Sequence, residues 1–125
     1  MSGVLVDTSV WVDHFRRRSE ALVGLLEVDR VCIHPFVLGE LACGTPPDRV
    51  RTLGHLAQLR GVQQPTLAEV MTFTDRERLY GRGCGIVDLT LLAAALVTPG
   101  VRLWTLDQRL AQLASHFRVA HEALH

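Results

Sequence analysis

The stretch IVDLTLLAAALV, residues 86–97, constrains this chain more than any other. It is apolar on nearly all sides, so as a helix it must be covered on all sides by the rest of the domain. It is also far shorter than the roughly 20 residues that span a bilayer, so it reads as a core helix and nothing in the chain points to a membrane. Yet it carries a carboxylate, Asp88, with Leu91 and Leu92 one turn ahead. A buried helix with an acid in it needs a scaffold that surrounds it and a reason for the charge.

The scaffold can be read from the runs on either side. GVLV (3–6) is a short apolar run of the kind a parallel sheet buries, and VCIH (31–34) and VRLWT (101–105) read as further strands. Between them lie helix-like segments. TSVWVDHFRRR places Val10, Trp11, His14 and Phe15 on one face, and Arg16, Arg17 and Arg18 where cations suit a helix end. SEALVGLLEV predicts a second helix, and PFVLGELACG a third, opened by Pro35 and closed by Gly44. PPDRVRTLGHLAQL carries Val50, Leu53, Leu56, Ala57 and Leu59 at helical spacing. TLAEVMTFTDRERLYGRG and DQRLAQLAS read as further helices, with GVQQ and FRVA as short strands. Strands alternating with helices predict an α/β domain, a mainly parallel central sheet flanked by helices, over residues 1–125 as one unit.

Composition removes several function classes. Net charge is zero, so nucleic-acid binding requires a local patch. All 13 basic residues are arginine, which excludes any mechanism needing an amine. Three cysteines without CxxC spacing, Cys32, Cys43 and Cys84, predict reduced thiols in a cytoplasmic protein. The N-terminus lacks the charged and apolar regions of a signal peptide. His121 and His125 have no metal-ligand spacing.

Four acids occupy places of interest. In open α/β sheets ligands bind beyond the carboxyl ends of the strands, where Asp7 and Asp107 fall. Glu40 has Phe36, Val37 and Cys43 one turn away and is expected on the inward side of its helix. Asp88 is the fourth. Singly, each has an ordinary explanation: Asp7 and Asp107 as N-caps, Glu40 reaching solvent, Asp88 capping a helix that begins near Leu89. Together, clustered carboxylates are expensive to bury unless a cation neutralises them. Hard ions such as Mg²⁺ and Mn²⁺ prefer oxygen ligands and keep waters that phosphates can replace, so the acids suggest phosphodiester chemistry.

The blocks VLVDTSVWVDHF, PFVLGELACG, YGRGCGIVDLTLLAAAL and LWTLDQRL, in this order, resemble the PIN domain, most closely the VapC toxins of bacterial toxin–antitoxin pairs. The resemblance extends over nearly the whole chain. It implies a parallel sheet flanked by helices, and Mg²⁺ or Mn²⁺ held by Asp7, Glu40, Asp88 and Asp107. It also implies endonucleolytic cleavage of RNA to 5′-phosphate and 3′-hydroxyl ends, a VapB-like antitoxin covering the acids, and a homodimer. Thr8 and Ser9 match the family's hydroxyls after the first acid, and Thr105 the one before the last, so all three are expected to hydrogen-bond around the site. Two points differ or vary: His34 stands where serine or threonine often precedes the proline, and the fourth acid is the family's most variable.

A phosphorelay receiver has a similar acid pattern but needs a lysine, and this chain has none. The remaining alternative is a non-catalytic PIN-like module that holds RNA or a protein. The glycines of GRGCG (81–85) have no strand before them, as a dinucleotide fingerprint requires, and read as a helix–helix link.

Overall fold

Four parallel strands in the order β3-β2-β1-β4 form the centre of the protein, in a computed structural model that describes residues 2–123. They are β1 (Gly3–Val6), β2 (Val31–Ile33), β3 (Arg60–Gly61) and β4 (Val101–Trp104). Every residue of β1 and β2 is buried, which is why both are uninterrupted apolar runs. β1 pairs with β2 on one side, Val4 opposite Val31, and with β4 on the other, Val6 opposite Trp104. The chain leaves β1 toward β2 and returns later to its opposite edge as β4. The crevice above the carboxyl ends of β1 and β4 is therefore the switch point where α/β sheets bind ligands.

The helices are α1 (Thr8–Arg16), α2 (Glu20–Glu27), α3 (Pro35–Ala42), α4 (Arg49–Ala57), α5 (Leu67–Arg76), α6 (Ile86–Val97) and α7 (Gln108–His116). Six of them pack in two groups, α1 and α4 against α3, and α5 and α7 against α6. Residues 89–95 of α6 are all buried, as the all-round apolar pattern requires. Their side chains join Val4, Leu5, Val6, Leu103 and Leu110 in one core.

Several boundaries differ from the sequence expectation, each for a local reason. The helix expected over 66–83 ends at Arg76, because Arg78, Gly81 and Gly83 all take positive φ and turn the chain. FRVA forms a single parallel bridge, Leu103 to Ala120, and GVQQ shrinks to the two-residue β3. Val50 is 83% exposed, so α4 buries Leu56 alone and its apolar spacing overstated its packing. His125 lies outside the described residues. No helix among them is long and apolar enough to cross a membrane.

Candidate metal centre

Asp7 is the anchor of the crevice. It follows β1 directly, its backbone N–H bonds to the Trp104 carbonyl at 2.9 Å, and it is 6% exposed. It caps α1, its Oδ1 accepting the Thr8 N–H at 2.8 Å. The cap reading is thus correct but incomplete. Its Oδ2 accepts two further bonds, from Ser9 Oγ at 2.8 Å and Thr105 Oγ1 at 2.7 Å. Those hydroxyl oxygens in turn accept backbone N–H groups, Ser9 from Leu106 and Thr105 from Asp107, both at 3.0 Å. Two hydroxyls therefore tie the start of α1 to the β4–α7 turn and fix both Asp7 and the backbone of Asp107.

Asp107 caps α7, its Oδ1 accepting the Leu110 N–H at 3.0 Å, and its side chain is open to solvent. Glu40 comes from the middle of α3. It is exposed, not directed inward as expected: at the rim of the crevice it accepts a hydrogen bond from Thr8 Oγ1 at 2.7 Å. One helical turn cannot tell a helix face that meets the core from one that meets a cleft. Asp88 is half-buried at the third position of α6, which begins at Ile86, earlier than expected. Its Oδ2 accepts the Gly85 N–H at 3.2 Å, closing the first turn from inside.

The charges of the other three acids are felt at Asp88. Burial raises its pKa, and the charges of Asp7, Asp107 and Glu40 raise it further against the Gly85 hydrogen bond. The nearby Cys84 thiol is also pushed up, first by burial and then by Asp88 and Asp107. No arginine answers this charge by pairing: the ion pairs among the described residues are Arg18–Glu20 and Arg76–Glu77, both elsewhere.

Each acid is turned to its own hydrogen-bond donor, and among the described residues no three His, Cys, Asp or Glu side chains already form a coordination set. The donor chemistry nevertheless fits a hard divalent cation: four carboxylates, oxygen ligands only, and surplus negative charge felt at Asp88. His34 contributes no ligand. It is 3% exposed, caps α3 by accepting the Phe36 N–H on Nδ1 at 2.9 Å, and burial lowers its pKa.

A cleft of about 400 Å³ runs from Thr8 and Glu40 between α1 and the α3–α4 turn, lined by Val12, Phe15, Arg16 and Pro46. A larger cavity, about 610 Å³, lies between α5 and the far half of α6 and touches none of the four acids.

The PIN domain family model matches residues 4–115. The chain belongs to the PIN domain family. Across 94% of both chains, this PIN domain is 43% identical to Ribonuclease VapC32 of Mycobacterium tuberculosis, in each of two strains. Its fold is shared with DNA-bound VapBC from Salmonella typhimurium (TM-score 0.63, 18% identity, 90% of this chain and 92% of that one). It is shared also with PAE2754 from Pyrobaculum aerophilum (TM-score 0.58, 20% identity, 89% and 84%). The α/β architecture expected from the strand and helix pattern is the family's own.

Proposed function

We propose that this PIN domain is a VapC-type toxin, a metal-dependent endoribonuclease in which residues 1–125 act as one domain and Asp7, Glu40, Asp88 and Asp107 hold Mg²⁺, with Mn²⁺ able to substitute. The observation that carries the reading is the pair of Asp7, fixed at the switch point by three hydrogen bonds, and Asp88, whose carboxyl is acted on by burial and by the charges of the other three acids. The 43% identity to a ribonuclease supports the substrate class.

The cation, once bound, supplies Lewis acidity to the scissile phosphate and lowers the pKa of the attacking water. The chain supplies the rest. Asp7 is held in one orientation by the Thr8 N–H and the Ser9 and Thr105 hydroxyls, so its carboxylate does not have to be ordered on binding. Thr8 Oγ1 orients Glu40. Water adds to phosphorus, the bond to the 3′-oxygen breaks, and the products carry a 5′-phosphate and a 3′-hydroxyl. An open cleft beside Glu40 supports a single-stranded substrate, whose unstacked bases are accessible as those of a duplex are not.

The proposal extends to partners: a VapB-like antitoxin that covers the acids, and a homodimer of this chain, with action in the cytoplasm. Incubation of the purified protein with total RNA tests the activity. Cleavage in Mg²⁺ that stops in excess EDTA and leaves 5′-phosphate ends is expected. Undiminished cleavage in EDTA refutes the metal mechanism, and RNA bound but intact in Mg²⁺ and Mn²⁺ favours the non-catalytic module.

A further inference from the structure

Arg109 is placed oddly for a surface arginine. It is the second residue of α7, where a cation opposes the positive end of the helix dipole. It is exposed, so it does not serve the core, and among the described residues it forms no ion pair. Its side chain lies instead on the backbone of Gly83, in the turn that leads to Asp88. A Cβ at Gly83 would come within 2.6 Å of Arg109 Cδ and Nη1 and 2.9 Å of Cζ. Gly83 also has a φ of +86°, which disfavours any side chain there. The glycine seats the arginine, and the seat is beside the acids: Arg109 follows Asp107 by two residues, and Gly83 precedes by two the Gly85 whose N–H donates to Asp88.

We propose that Arg109, held on Gly83, binds a phosphate of the RNA strand next to the one being cleaved. This rests on the ribonuclease reading above. A polyanion approaching four carboxylates is repelled, and a guanidinium at the rim of the cluster offsets that repulsion for the substrate. The guanidinium presents a planar fork of donors that matches two phosphate oxygens. Because it is not paired with the acids, binding RNA breaks no internal ion pair. The GRGCG turn thus has a task beyond linking α5 to α6: it keeps a cation beside the metal-holding residues without letting it neutralise them.

The test is the affinity of the full chain for a fluorescent single-stranded RNA oligonucleotide, by anisotropy, with Ca²⁺ replacing Mg²⁺ and RNA integrity checked on gels. Arg109→Ala is expected to weaken binding roughly tenfold, as for a lost hydrogen bond to a charged group. It should also reduce the slope of log affinity against log salt by about 0.7, one phosphate contact on a single strand. Arg109→Lys restores the charge and the salt slope but only part of the affinity. Gly83→Ala should weaken binding more in the wild-type background than in Arg109→Ala, where only the backbone strain of the turn remains. Wild-type affinity and slope in Arg109→Ala overturn the proposal. So does a Gly83→Ala loss that is equal in both backgrounds, which assigns the effect to the turn itself. Cleavage in Mg²⁺ by the wild-type chain is scored separately, so a failed ribonuclease reading is distinguishable. If the wild-type chain binds no RNA, both fall.

Discussion

Asp7→Asn separates two effects that act on the same side chain in opposite directions. Removing one charge from a group of four acids relieves repulsion, on the order of 1 kcal/mol or less because Glu40 and Asp107 are exposed to water. That argument alone predicts a more stable metal-free protein. The hydrogen bonds say otherwise. Asparagine can keep the bond from the Thr8 N–H, since it caps helices as well as aspartate does. Its amide nitrogen cannot accept the Ser9 and Thr105 hydroxyls, which both now donate to Oδ2. Each bond to a charged acceptor contributes about 1.5 to 3 kcal/mol, and partial rearrangement of the two hydroxyls recovers some of it. The balance is a loss of about 1 to 3 kcal/mol, or a Tm lower by roughly 4 to 12 °C for a chain of this size. Thermal and urea unfolding in EDTA measure it. A Tm equal to or above wild type would mean that the hydroxyl bonds contribute little and repulsion dominates.

Asp88→Asn should behave in the opposite way, raising metal-free stability, because its amide oxygen can still accept the Gly85 N–H while the strained charge is gone. Since folding raises the Asp88 pKa, its favourable contribution is present at low pH and is lost as pH rises through the raised value. The advantage of Asp88→Asn over wild type in EDTA should therefore grow as pH rises above the ordinary carboxylate range, and a difference that does not change with pH would refute the assignment. Thr8→Val removes the hydroxyl on Glu40 while keeping the backbone N–H on Asp7. It should reduce RNA cleavage by roughly 10- to 100-fold, with Thr8→Ser near wild type; unaltered rates in Thr8→Val would show that Glu40 needs no such support.

What the sequence made legible depended on how far each signal reaches. β1, β2 and α6 were clear because burial on both faces, or all round, leaves uninterrupted apolar runs; β4 was legible although Arg102 interrupts it, since its other three residues are buried. The four acids stood out because a carboxylate after a buried strand or inside an apolar helix breaks that pattern. Val50 and the overlong helix at 66–83 misled because spacing records a face but not whether anything covers it, nor where a positive φ will end the helix. The exposure of Glu40 was hidden for the same reason. The seat of Arg109 on Gly83 was beyond reach, since 26 positions separate the two in sequence and only the fold brings them together.

The central claim is that the four carboxylates act jointly on one divalent site. Mn²⁺ binding to the metal-free protein, followed by electron paramagnetic resonance of the free ion, tests it most directly. Saturable binding by wild type is expected, with the affinity weakened about tenfold or more by each of Asp7→Asn, Glu40→Gln, Asp88→Asn and Asp107→Asn. A protein that leaves the Mn²⁺ signal unchanged, or four variants that bind as tightly as wild type, would contradict it.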